Sequence, residues 1–276
     1  MRCGNVGNLY PKGLEWDVTS VMNMAPSVFL TLNKHLEWRK LQFRYWVHSG
    51  DLQRTVGGVK SRFEVNSFRE FLRIMDYQDE DFVIETLLQE IDPDDVFWDI
   101  GANIGTHACY VGQKANYTVA VEPFPDNAEQ ARKNLELNNV NSEVIECALG
   151  ESEGIAKLAV PDTDKTESGV GTFSLQEDFT KGEAVDVELV SGDKLVRENQ
   201  TPDPDVIKID VEGGELDVLR GFRHGLANAR IILVEVHPRH VDREEISGLL
   251  ESEGFTVEVL RQRNDEIHLL AKTTEK

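Results

Sequence analysis

From Val96 to Lys272 short apolar runs alternate with segments whose apolar residues recur at helical spacing. That alternation commits a chain to a largely parallel sheet with helices on both faces. Strands are expected at 96–100, 118–122, 143–148, 206–211, 230–236, 255–260 and 266–272, and helices near 105–115, 126–138, 191–198, 213–224 and 242–253. The last two strands lie too close together for a crossover helix, so they are expected to form an antiparallel hairpin at one edge.

The first of these strands runs into Asp99-Ile100-Gly101-Ala102-Asn103-Ile104-Gly105, and the second ends in Glu122. A strand that turns through glycines into a helix lets backbone approach a ligand, because glycine has no Cβ in the way. An acid about 20 residues further on can accept both hydroxyls of a ribose. The pattern reads as a nucleoside pocket. Asn103 stands where a dinucleotide fingerprint would carry its central glycine.

The chain of 276 residues has room for one α/β domain and an extension. Its 50 acids and 29 bases give a net charge of −21, which disfavours nucleic acid as a partner and suits a salt-rich cytoplasm. The charge is uneven: residues 1–75 hold 11 bases and 6 acids, and residues 76–276 hold 18 bases and 44 acids. We therefore divide the chain into a basic, partly helical extension (1–75) and a catalytic domain (76–276). Within the extension, residues 28–47 read as a basic amphipathic helix suited to an anionic lipid surface, to the catalytic domain or to a second copy in a homo-oligomer. Gly50 to Gly58 reads as a loop, Phe63 to Phe71 as a short strand and helix start capped by Asn66 or Ser67, and Asp81 to Ile91 as a helix. Val18 to Asn33 is neither a membrane span nor a signal peptide. Cys3, Cys109 and Cys147 lack metal-ligand spacing and frame no disulfide set, so a reduced, cytoplasmic setting is the default.

Four segments together, Asp99 to Gly105, Val121-Glu122-Pro123, Cys147-Ala148-Leu149-Gly150 and Ile207-Lys208-Ile209-Asp210-Val211-Glu212-Gly213-Gly214-Glu215, resemble the FkbM-type family of S-adenosylmethionine-dependent methyltransferases over roughly residues 80–272. The resemblance implies a Rossmann-like class I methyltransferase fold, a seven-stranded mostly parallel sheet with a C-terminal antiparallel hairpin. It also implies the cofactor S-adenosylmethionine and an oxygen acceptor on a sugar, glycolipid or other small hydroxylated or carboxylated metabolite. By the same resemblance Asp99, Gly101, Asn103 and Gly105, with Thr106 and His107, hold the methionine part; Glu122 and Pro123 meet the ribose, and Ala148 and Leu149 the adenine. Amides at a helix start suit a carboxylate on physical grounds as well.

Asp210, Glu212 and Glu215 bring three acids to one strand-to-helix turn. Strand alternation puts Lys208 on the side of Asp210, where burial demands that the lysine be paired. Asp210 and His237, in Val234-Glu235-Val236-His237-Pro238, are the candidate bases for a hydroxyl acceptor, with Lys208 and Glu212 beside them. Carboxylates there suit Mg²⁺, yet no spacing demands a metal. The polar stretch from Val160 to Val185, with Ser168 to Ser174, reads as a loop that reaches the acceptor. Two alternatives are an NAD-dependent oxidoreductase, since Glu122 would serve that ribose equally well, and a non-catalytic cofactor-binding scaffold.

Overall fold

The computed structural model describes residues 38–48, 50–75, 80–161, 182–199, 201–263 and 266–273. It divides into two units, residues 1–47 and 48–276. Of the first unit, residues 38–47 form helix α1, with Phe43, Trp46 and Val47 exposed. The remainder of the segment 28–47 and the stretch from Ser168 to Ser174 lie outside the described residues.

The second unit opens with a hairpin where a loop is expected. Strand β1 (Leu52–Val56) pairs antiparallel with β2 (Val59–Phe63) across Gly57 and Gly58, whose φ values are 53° and 81°. Two successive left-handed residues are what a tight two-residue hairpin needs, so the glycine pair marks a turn between strands. Helix α2 (Phe68–Ile74) begins at Ser67, whose Oγ accepts the Glu70 N–H at 3.1 Å, the cap expected there. Helix α3 (Asp81–Glu90) follows. Val56, Val59, Phe63, Ile74 and Ile84 pack in one apolar cluster with Ala102, Ile104, Ala108 and Tyr110, so residues assigned by charge to the extension share a core with the domain that follows.

The main sheet contains β3 (Val96–Ile100), β4 (Tyr117–Val121), β5 (Ser142–Ile145), β9 (Val206–Ile209), β10 (Ile231–Val236), β11 (Phe255–Gln262) and β12 (Ile267–Thr273). Their order is β11-β12-β10-β9-β3-β4-β5. Strands β3, β4, β5, β9 and β10 run parallel, while β12 is antiparallel to both β10 and β11. This is the seven-stranded, mostly parallel sheet with the terminal hairpin expected from the alternation. Helices α4 (Thr106–Val111), α5 (Pro125–Leu137), α6 (Gly192–Asn199), α7 (Glu215–Gly221), α8 (Arg223–Asn228) and α9 (Arg243–Ser252) connect the strands. The central strands are buried on both faces, as parallel strands between helix layers must be. On one face Trp98 meets Phe222 with ring centroids 4.7 Å apart, within a cluster that also holds Ile207, Val234 and Leu250.

Two further expectations need correction. The strand expected at 143–148 breaks into β5 and a separate two-residue strand, β6 (Ala148–Leu149), which joins β7 (Gly154–Pro161) and β8 (Gly182–Val190) in a three-stranded sheet of order β6-β8-β7. The helix expected at 213–224 is two short helices, α7 and α8, meeting at Phe222. The small sheet escapes the alternation because Ala156, Leu158, Val185, Val187 and Leu189 pack with Phe124 and Ala148 in a satellite cluster, away from the main sheet that the pattern describes.

Candidate active site

The direction in which successive strands are added reverses between β3 and β9, and in open α/β sheets the crevice beyond the strand ends at that point is where ligands bind. Three strand ends are tied together there. Gly101 and Ala102 donate their N–H groups to Val121 O at 2.9 and 3.0 Å, and Asp210 N donates to Ile100 O at 3.0 Å. Gly101 has φ 78°, and a Cβ on it would lie 1.7 Å from Asp210 O. Glycine is therefore required for both conformation and space.

A cavity opens on this junction, lined by Ile100, Gly101, Asn103, Val121, Glu122, Pro123, Cys147, Ala148, Leu149, Leu158, Asp210, Val211, Glu212, Gly214 and Arg73. Six of the ten residues expected to meet the cofactor line it or its turn: Gly101, Asn103, Glu122, Pro123, Ala148 and Leu149. Glu122 is buried, its Oε2 accepting Asn103 N at 2.8 Å and its Oε1 accepting Phe124 N at 2.9 Å. Oε1 also accepts Asn127 Nδ2 at 3.5 Å, and Oε2 keeps a lone pair for a ligand hydroxyl. Burial pushes the Glu122 carboxyl up to about 7 against the bonds from Phe124 and Asn103. Asn103 is held at φ 51°, in the left-handed region, by its place in this turn.

The other four stand behind the turn. Gly105 caps α4 and lies against Ala131; Thr106 and His107 are buried in α4. His107 Nε2 has no hydrogen-bond partner and is 3.8 Å from Glu80 Oε2. Asp99 is fully buried, accepting Ala108 N at 3.0 Å, so it fastens the start of α4 to the sheet. Lys208, facing Asp99 across the β3–β9 register, puts its ammonium 3.2 Å from Asp99 Oδ1 and 3.4 Å from Asp210 Oδ2. Burial opposes its charge, but Asp99 and Asp210 outweigh that and raise its pKa.

Asp210 and Glu212 face the cavity, and His237 stands beside them at the end of β10. His237 Nδ1 is 2.7 Å from Glu215 Oε1, and its Nε2 is 3.3 Å from Glu212 Oε2 and 3.6 Å from Glu235 Oε1. Burial disfavours charge on the imidazole. The hydrogen bond that Nδ1 donates to Glu215 and the charges of Asp210, Glu215 and Glu212 overcome it and push His237 up to about 10. Burial likewise opposes charge on Asp210, but Lys208 and His237 hold it down to about 2. Glu212, raised first by burial and then by Asp210, stands at about 8. Donor atoms of Asp210, Glu212 and His237 lie within 4.8 Å of one another, a spacing that fits a divalent cation. The imidazolium already supplies positive charge among these carboxylates.

Sequence reading missed Arg73, Leu158 and Glu235. Arg73 and Leu158 reach the cavity from α2 and from β7, elements that carry no motif. Glu235 pairs across the β10–β12 register with His268, whose Nε2 is 3.1 Å from its Oε2; a lone acid inside the apolar run Ile231–Val236 was its signal.

A family model described as the methyltransferase FkbM domain matches residues 99–267. The hexuronic acid methyltransferase AglP of Haloferax volcanii is 34% identical over 217 residues, covering 79% of this chain and 87% of that protein. The 31-O-demethyl-FK506 methyltransferase FkbM of Streptomyces tacrolimicus is 27% identical, covering 61% of this chain and 75% of its own. Among solved structures, an FkbM methyltransferase from Methylobacillus flagellatus KT matches with 17% identity and a TM-score of 0.48, over 68% of this chain and 46% of that one. With the domain match spanning more than half of the chain and its motifs gathered at one cavity, the protein belongs to the FkbM methyltransferase family.

Proposed function

We propose that this methyltransferase acts on an oxygen of a sugar acid, and that the oxygen belongs to the carboxylate. The ion pairs around His237 carry this reading: its Nδ1 is 2.7 Å from Glu215 Oε1 and its Nε2 is 3.3 Å from Glu212 Oε2, so carboxylates engage both ring nitrogens. At neutral pH a His237 at about 10 already holds its proton, a Glu212 at about 8 is largely protonated, and an Asp210 at about 2 is a very weak base. A hydroxyl acceptor needs a group ready to take its proton. A carboxylate arrives without one. The hexuronic acid specificity in the name of the Haloferax volcanii relative supports the same acceptor class.

S-adenosylmethionine supplies a methyl group on a sulfonium, and an in-line oxygen lone pair takes it, the S–CH₃ electrons returning to sulfur. A carboxylate acceptor becomes a neutral methyl ester, S-adenosylhomocysteine leaves, and no proton is exchanged. Glu122 would accept the ribose hydroxyls, Pro123, Ala148 and Leu149 would bound the nucleoside, and Asp210 would face the cationic methionine part. Lys208 keeps Asp210 ionised and in place. His237 and Glu212 position the turn rather than move a proton. Most of the acceleration then comes from alignment and exclusion of water.

The test is transfer of labelled methyl from S-adenosylmethionine to D-glucuronate and D-galacturonate, with D-glucose as the neutral control. Label on the uronates that mild alkali releases as methanol is expected. Alkali-stable label, or label on glucose alone, overturns the carboxylate reading.

We further infer a salt-adapted cytoplasmic enzyme, supported by the net charge of −21 and by a relative from Haloferax volcanii. Among the described residues no helix is long and apolar enough to cross a membrane. Residues 28–47 are proposed to meet an anionic lipid surface, because α1 exposes Phe43 and Trp46 among Arg39, Lys40 and Arg44. Reversing those three charges should abolish co-sedimentation with phosphatidylglycerol vesicles, and unchanged sedimentation would rule that contact out.

A further inference from the structure

The cavity is lined by three carboxylates, Glu122, Asp210 and Glu212, and by one base among the described residues, Arg73. Lys208 is spent on Asp99 and Asp210, and the helix start at Thr106 and His107, which would otherwise offer its amides to a carboxylate, does not line the cavity. Arg73 comes from the last turn of α2, beyond the Ser67 cap. Its Nε is buried with no hydrogen-bond partner, and no ion pair joins its guanidinium to another described residue. Its charge is nevertheless felt by Glu80, Glu122, Asp210 and Glu212, so it stands over the junction of the two turns. The residue as a whole is half-buried, with Nε buried inside it, and the planar fork of N–H groups on a guanidinium matches a carboxylate with two parallel hydrogen bonds.

We infer that Arg73 is the anchor for a ligand carboxylate inside this cavity. The inference rests on the assignment of this cavity to the cofactor and a sugar acid, both of which carry that group: the methionine end of one and the uronate of the other. The ionised Asp210 and the ionised share of Glu122 repel either. Arg73 gives an anion one place where it is attracted, and so sets the direction in which it lies. The main-chain tie of α2 to the Ser67 cap and the burial of its neighbours Phe71 and Ile74 hold the arginine at that spot.

Calorimetric titration of the full chain, in high salt, tests this with S-adenosylhomocysteine, with 5′-methylthioadenosine, which lacks the amino-acid part, and with D-glucuronate added to enzyme saturated with S-adenosylhomocysteine. If the cofactor owns the carboxylate, Arg73→Gln weakens S-adenosylhomocysteine by roughly 10- to 100-fold and leaves 5′-methylthioadenosine unchanged. If the acceptor owns it, both nucleosides bind Arg73→Gln as they bind wild type, and glucuronate binding falls by a similar factor. Arg73→Lys, which keeps the charge but loses the fork, falls between in either case and guards against a folding defect. An Arg73→Gln protein that matches wild type for all three probes overturns the inference, as does one that loses 5′-methylthioadenosine in equal measure. Wild-type protein that binds neither nucleoside would overturn the cofactor assignment itself, a result read before any variant is made.

Discussion

Lys208 and Asp99 face each other on adjacent parallel strands, ammonium and carboxylate 3.2 Å apart, with Asp210 completing the group at 3.4 Å. Asp99 in turn holds Ala108 N, so one buried cation joins β3, β9 and the start of α4. Removing it leaves two carboxylates short of their cation, a loss worth about 3–5 kcal/mol when a buried pair is broken from one side. Lys208→Ala is expected to lower stability by that amount in urea unfolding. Adding Asp99→Asn should restore part of it. Additive losses in the double variant would show that the two groups are not coupled.

Glu122 predicts a pH dependence of cofactor binding. Burial raises its carboxyl to about 7, and ribose hydroxyls bond best to the ionised form. Affinity for S-adenosylhomocysteine should therefore weaken as pH falls through 7. Glu122→Gln should cost roughly 10- to 100-fold in affinity at pH 8, from hydrogen bonds to a charged group worth about 1.5–3 kcal/mol, and should flatten that pH dependence. Calorimetry from pH 5.5 to 8.5 checks both.

His237 and its neighbours predict the upper pH limit of the fold. The ordinary pKa of histidine is 6.5, and here the group stands at about 10. Its stabilisation is fully present below about pH 6.5 and is lost as pH rises through 10. Glu212 and Glu235, each raised to about 8 from 4.5 by burial and by Asp210, act with the same sign: their share is present below 4.5 and lost through 8. Thermal midpoints should fall steadily from pH 6.5 to 10. In His237→Gln the decline above pH 8 should be shallower, and a slope equal to wild type would show that the histidine does not carry it.

Gly101→Ala places a methyl group where Asp210 O now lies, 1.7 Å away, in a conformation with φ 78°. The strand ends must part to admit it. We expect a loss of more than about 4 kcal/mol, or a folded protein without measurable affinity for S-adenosylhomocysteine. Wild-type stability and affinity together would mean that the β3 and β9 turns are not in contact.

Much of the site was legible because it is local. Asp99 to Gly105, Glu122 and the turn from Asp210 to Glu215 sit at strand ends, and the alternation of apolar runs locates those ends within one or two residues. The small sheet was not legible, since β7 and β8 are separated by twenty residues and pair across that gap, packing Leu158 and Val187 into the cluster around Phe124 and Ala148. Arg73 was not legible either. Nothing in Phe68 to Met75 distinguishes an arginine on a cavity wall from one on a solvated helix face.

By itself the sequence determined the sheet, its connections and the acids at the switch point, because side-chain period and glycine placement act over a few residues. The tertiary structure decided what those groups do. Packing closed Lys208 onto Asp99, turned Gly105, Thr106 and His107 away from the cavity, and set Arg73 over it. It also fixed the protons, through burial and the opposing charges that fold around His237, Glu212 and Asp210. Burial and charge pairing depend on residues far apart in the chain, and no local pattern encodes them.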